Sequence, residues 1–191
     1  MKILTPKQTG CCFGVNRAIK LTEETLLNKK PTYIFGELVH NATITRELSK
    51  KGLKVVKGIG DVKGGILIIR AHGISPDERN KAGKLKIEIV DATCPIVRQA
   101  QVVAQKLEEE GYQVVIVGDK NHAEIKGIWG HLKKGALIVG SPKEVDPKKL
   151  EKKVGLIFQT THSIDLCRDV LAEIMKTAHE IKIINTICAD I

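Results

Sequence analysis

The chain has 191 residues, of which 42% are hydrophobic and 28% charged, a balance that excludes a disordered or fibrous protein. Lys and Arg outnumber Asp and Glu by 31 to 22, giving a net charge of +9. Only 3% of residues are aromatic, so a base-stacking platform for nucleic acid is not available.

In chain order, short β-branched runs predict buried parallel strands at 33–35, 53–56, 66–69, 87–90, 114–117, 136–139, 154–158 and 181–184. Helical patterns lie between them. Ile96, Ala100, Val103, Ala104 and Leu107 share one helical face, and Cys167, Val170, Leu171 and Ile174 share another. No apolar run approaches the roughly 18 residues of a membrane span, and the first residues lack the apolar stretch of a signal peptide. The expected location is therefore the cytoplasm, with no membrane and no nucleic acid among the partners. Thiols stay reduced there, so five cysteines spread along the chain point to metal binding or catalysis rather than a disulfide framework. The lysines are scattered among acids, as on solvated faces. What they add is attraction for a small anion or an acidic protein partner.

A pattern of strand, short turn, cysteine and helix occurs at 1–4 leading to Cys12, at 87–90 leading to Cys94 and at 181–184 leading to Cys188. The cysteines are 82 and 94 residues apart, and His40 and His122 are again 82 apart in Gly/Asn-containing turns. The expected fold is therefore α/β: pseudo-repeated three-layer units with mainly parallel sheets. The predicted units are 1–93, carrying Cys12, His40 and His72, and 94–187, carrying Cys94, His122, Glu124 and Thr160. Residues 188–191 read as the stub of a third unit that the sequence does not contain.

Each repeated cysteine follows a strand end, and the carboxyl ends of parallel strands line the binding crevice of an open α/β sheet. Packing about a pseudo-threefold axis would bring Cys12, Cys94 and Cys188 together. Pro95 marks a helix start beside Cys94, where the helix dipole favours an anionic ligand. Three converging thiolates suit either an iron–sulfur cluster or a zinc ion, the latter completed by His122 or Glu124. In a 4Fe-4S cluster they would leave one iron open. Cys167, on an apolar helical face, reads as core, whereas Cys11 has no counterpart in the repeat. His40, His72 and His122 sit just past strand ends, where imidazoles and backbone amides bind anions. Glu124 follows on the same loop as a proton source, and Gln159-Thr160-Thr161 offers hydroxyl and amide groups at the mouth. His131, His162 and His179 lack the register and read as surface or capping residues.

Seven segments occur in order: Gly10-Cys11-Cys12-Phe13-Gly14-Val15, Val39-His40-Asn41, Ala71-His72-Gly73, Asp91-Ala92-Thr93-Cys94-Pro95, the Gly118 to Gly127 loop with Asn121-His122-Ala123-Glu124, Gln159-Thr160-Thr161 and Asn185-Thr186-Ile187-Cys188. Together they closely resemble the LytB/IspH family of hydroxymethylbutenyl diphosphate reductases. The resemblance implies one 4Fe-4S cluster on Cys12, Cys94 and Cys188, with the substrate hydroxyl on the open iron. It implies a diphosphate held by His40, His72 and His122, Glu124 as proton donor, and Thr160 ordering the hydroxyl. Two electrons and two protons would expel that hydroxyl as water, giving isopentenyl and dimethylallyl diphosphates in the non-mevalonate isoprenoid pathway. The electrons would come from a ferredoxin or flavodoxin, acidic proteins that a basic surface favours.

Two departures stand out. The family usually carries an aromatic residue where Cys11 stands, and it continues after the third cysteine into a full third unit that closes the site. The alternative expectation is thus an inactive remnant that binds a cluster or diphosphate without turnover.

Overall fold

The computed structural model describes residues 10–189. Helix α1 (Phe13–Leu26) leads into strand β1 (Thr32–Phe35), helix α2 (Ala42–Lys50), β2 (Leu53–Val56), β3 (Ile66–Ile69), α3 (Pro76–Lys84) and β4 (Glu88–Asp91). The second half repeats the plan with α4 (Pro95–Glu109), β5 (Gln113–Val117), α5 (Ala123–Gly130), β6 (Leu137–Val139), β7 (Lys153–Phe158), α6 (Ile164–Ile174) and β8 (Glu180–Ile183). All eight predicted strands form; β2 and β3 have the expected bounds, and the other six differ by one residue at one or both ends. The strand expected at 1–4 lies outside the described residues, as do 190 and 191.

Helix starts follow from local chemistry. The Asn41 side chain accepts the amides of Thr43 and Ile44 and so fixes where α2 begins, one residue after His40. Ser75 and Glu78 form a reciprocal capping box at α3, with Pro76 in the first helical position. Ser163 caps α6, and Pro95 opens α4 directly after Cys94.

The sheet orders are β2-β1-β3-β4 and β6-β5-β7-β8, every neighbouring pair parallel. Two sheets with one order make the repeat architectural as well as sequential. In each, the chain winds one way from the first strand and then the other. The switch therefore falls between β1 and β3, and again between β5 and β7, where open sheets bind ligands.

Helices cover both faces of each sheet, giving the expected three layers. In the first sheet, Ile34 and Ile68 pack with Ala18 of α1 and Leu48 of α2, while Leu67 packs on the other face against Ala82 of α3. In the second, Val114, Ile116 and Ile157 meet Ala100, Ala104 and Leu107 of α4 and Ile125 and Ile128 of α5. Val115, Val117 and Leu156 meet Val170, Ile174 and Cys167 of α6. Cys167 is 4% exposed, and burial pushes its thiol up to about 11, as expected of a core residue.

The face of α4 differs from expectation. Ile96 and Val103 are half-buried, whereas Val97 and Gln101 are buried. Gln101 looks away from the second sheet, toward Gly73 of the first half, so α4 serves two neighbours. No helix among the described residues is long and apolar enough to cross a membrane.

Candidate functional site

The first switch point delivers His40 after β1 and His72 after β3, and the second delivers His122 after β5. Although 50 residues separate His72 from His122 in sequence, the three imidazoles meet. Ring centroids are 4.3 Å apart for His40 and His72, 4.7 Å for His40 and His122, and 5.4 Å for His72 and His122. A nitrogen from each lies within 4.8 Å of the others.

Burial and crowding favour the neutral forms of His72 and His122. Burial, then the positive fields of His40, His122 and Arg70, lower His72 to about 3. Burial chiefly lowers His122 too, with His40, His162 and Arg70 adding to the effect and Asp119 opposing it. The Nδ1 of His122 accepts the Glu124 amide at 3.2 Å and so caps α5. A neutral ring that accepts at Nδ1 carries its proton on Nε2 and is a donor there. Donor rings beside a guanidinium suit an anion better than a metal cation.

Glu124, in the first turn of α5, is 1% exposed. Its Oε1 accepts the Thr160 amide and its Oε2 the Thr160 hydroxyl, both at 2.8 Å. Burial pushes this carboxyl up, and the two Thr160 hydrogen bonds pull less strongly down. The Thr160 carbonyl in turn accepts the Cys188 amide at 2.8 Å. A continuous path thus runs from His122 through Glu124 and Thr160 to Cys188.

Cys12 and Cys94 occupy matching places, each preceding the first turn of a long helix and neither side chain capping it. The helices meet at Gly14, where a Cβ would lie 2.6 Å from the Cys94 Sγ. The Cys94 amide donates to the Ala71 carbonyl at 2.9 Å, tying this cysteine to the His72 loop. Asp91 braces the turn: it accepts Arg79, Arg98 and the Thr93 amide, and these bonds outweigh burial to hold its carboxyl well below the usual range. Arg17 of α1 reaches the Thr93 carbonyl at 3.1 Å.

Cys12, Cys94 and Cys188 are all free thiols and half-buried. A single zinc ion would draw its sulfurs to within about 4 Å of one another. Among the described residues only the histidines form so tight a group. Soft donors from separate strand ends and helix starts, with a glycine keeping the space beside Cys94, fit the larger iron–sulfur group. Cys11 is exposed, its carbonyl accepting the Asn16 side chain.

Four contributors escaped the sequence reading. Arg70 abuts the Ala71-His72-Gly73 motif, which is the one signal it carries. His162, expected to be unconnected, lies near enough to His122 to lower it. Asp91 stands inside a quoted motif without a role assigned to it. Gln101 needed the packing of α4: its Nε2 would lie 2.8 Å from a Cβ on Gly73, whose φ of +74° suits glycine. His131 closes α5, its Nδ1 2.7 Å from the Gly127 carbonyl, and His179 is exposed.

Fold and site together define an α/β protein with paired switch points, a cluster of three imidazoles drawn from both halves, and half-buried free thiols at Cys12, Cys94 and Cys188. The sequence model described as LytB protein matches residues 3–191, and the chain belongs to the LytB family. A 4-hydroxy-3-methylbut-2-enyl diphosphate reductase of Geobacter metallireducens is 40% identical over 188 residues, covering 98% of this chain and 67% of the relative. The reductase of the same name from Dictyoglomus thermophilum is 41% identical over 183 residues, covering 95% and 64%. Among solved structures, the E-1-hydroxy-2-methyl-but-2-enyl-4-diphosphate reductase of Plasmodium falciparum superposes with a TM-score of 0.88 at 35% identity, covering 96% of this chain and 59% of that one. A second, titled (E)-4-hydroxy-3-methyl-but-2-enyl diphosphate reductase, the terminal enzyme of the non-mevalonate pathway, gives 0.86 at 36% identity, covering 97% and 68%. The chain thus spans about two thirds of the length of the curated relatives it matches.

Proposed function

We propose that the chain acts in the reductive dehydroxylation of (E)-4-hydroxy-3-methylbut-2-enyl diphosphate to isopentenyl and dimethylallyl diphosphates. The observation that carries this reading is the meeting of three donor imidazoles from two sheets beside the buried Glu124–Thr160 pair. Family membership supports it, since the relatives bear the name of this reductase.

Cys12, Cys94 and Cys188 would hold a 4Fe-4S cluster. When bound, such a group supplies single electrons and an open, Lewis-acidic iron for the substrate hydroxyl. His40, His72 and His122 hold the diphosphate through N–H donors and so fix the distance from anion to allylic hydroxyl. Glu124, kept protonated to higher pH by burial, is the acid that releases the hydroxyl as water. Almost fully buried, it reaches the cleft through the Thr160 hydroxyl: with Oε2 protonated this hydrogen bond reverses, so Thr160 accepts that proton and donates its own to the leaving oxygen. Two electrons and two protons then balance the loss of one water. A ferredoxin or flavodoxin is the proposed electron donor and the cytoplasm the proposed location.

The test is anaerobic reconstitution of the 191-residue chain with iron and sulfide, followed by substrate consumption under a chemical reductant. The expected chain is brown, with a broad visible absorption that Cys94→Ser removes. Glu124→Gln should keep that absorption and lower turnover by about 10²- to 10⁴-fold. A coloured chain that binds the diphosphate without consuming it would overturn the catalytic reading and support ligand binding without turnover.

A further inference from the structure

The histidine cluster leaves a question of charge. A diphosphate carries several negative charges, yet three imidazoles packed 4.3–5.4 Å apart cannot all be protonated without strong mutual repulsion. Hydrogen-bond donors are present in the cleft, but a permanent cation is still required.

Arg70 is the last residue before the His72 motif, just past β3. Its guanidinium lies over the Phe35 ring, 5.3 Å from the centroid, and its Nε points at the Gly73 carbonyl 3.4 Å away. On the other side it fills the space beside Gly36, where a Cβ would fall 2.9 Å from Nη1; Gly36 has a φ of +73°. The guanidinium is thus wedged between loop 36–40, which ends in His40, and loop 71–73, which carries His72. Arg70 is half-buried, and among the described residues no carboxylate lies within 4.0 Å of its guanidinium.

The acids near this region are committed elsewhere. Glu78 attracts Arg70 from a distance, but its carboxylate is bound by the Ser75 amide and hydroxyl at 2.8 and 3.0 Å. Asp119 attracts His122 while accepting the Asn121 amide at 2.8 Å. The remaining titratable groups facing the cluster are His40 and His162. A desolvated cation without a counter-ion is costly unless an anion completes it. We propose that Arg70 supplies the fixed positive charge of the diphosphate site, while His40, His72 and His122 supply its directed donors. Arg70 adds, after burial and the neighbouring imidazoles, to the lowered basicity of His72 and His122. The proposal rests on the diphosphate reading of this site and adds a residue that the reading lacked.

Calorimetric titration of the chain with inorganic pyrophosphate at pH 8.0 and pH 6.0 tests it. At pH 8.0, Arg70→Gln should weaken binding by about 10- to 100-fold, with Arg70→Lys retaining most of the affinity. At pH 6.0 the gap should be smaller, because pyrophosphate gains protons between pH 8.0 and pH 6.0 and offers the guanidinium less charge. Arg70→Ser is a second charge-free variant if the glutamine form does not fold. Unchanged affinity at pH 8.0 overturns the proposal. So does an equal loss at both pH values, which is the signature of a merely structural wedge. If the unsubstituted chain does not bind pyrophosphate, the diphosphate reading fails, and the role of Arg70 fails with it.

Discussion

His72 illustrates how neighbours change one side chain. In an unfolded chain it would protonate near 6.5, but burial and three positive neighbours bring it to about 3 here. Below pH 6.5 the unfolded state therefore binds the extra proton and the folded state does not, so stability falls with acidification between 6.5 and about 3. The loss approaches about 1.4 kcal/mol per pH unit for an isolated group. Above 6.5 the effect vanishes. Urea unfolding at pH 7, 6 and 5 should show His72→Gln losing less stability on acidification than the parent, and identical slopes would refute this. Glu124 runs the opposite way: its raised carboxyl costs stability at neutral pH, and that cost is relieved as pH falls. The repeat register made His40, His72, His122 and Glu124 legible in sequence. Arg70 and Gln101 were not, because neither residue type marks a site until its neighbours are known.

Elements place the chemistry by how they begin and end. His40 precedes the Asn41 cap of α2, His122 is itself the cap of α5, and Cys12 and Cys94 stand before α1 and α4. Strand starts and stops were readable from β-branched runs bounded by glycine and polar turns. The face each helix buries was less readable. Ala100, Ala104 and Leu107 of the expected α4 face are buried, but Ile96 and Val103 are only half-buried while Val97 and Gln101 are buried, since this helix also packs toward the His72 loop. Gly14 gives a prediction at this scale. Alanine within a helix normally stabilises by about 1 kcal/mol relative to glycine. Here its Cβ would meet the Cys94 Sγ at 2.6 Å, so the contact should dominate. Gly14→Ala should destabilise the chain by about 1–3 kcal/mol and reduce the visible absorption per mole after reconstitution. A variant as stable and as deeply coloured as the parent would show that the two helix starts can separate freely.

At the level of the molecule, two sheets of one order bring the histidine loops of their switch points together, and the chain as a whole carries a net charge of +9. With an acidic protein as electron donor, that charge should accelerate encounter at low salt. Raising salt from 50 to 500 mM should slow turnover driven by ferredoxin or flavodoxin by about tenfold, while leaving turnover driven by a small chemical reductant nearly unchanged. Equal salt dependence for both would remove any role for the basic surface.

The sequence by itself determined the α/β class, the parallel strands, the repeat and the identity of the cysteines, histidines and glutamate, because strand period, helix starts and motif order are local properties. Only the tertiary structure decided that the imidazoles from both halves stand 4.3–5.4 Å apart, that Glu124 is sealed behind Thr160, and that the Arg70 guanidinium lies over Phe35 between Gly36 and the Gly73 carbonyl. Proton affinities and unpaired charge depend on burial and on neighbours distant in sequence, and these exist only once the two sheets have packed together.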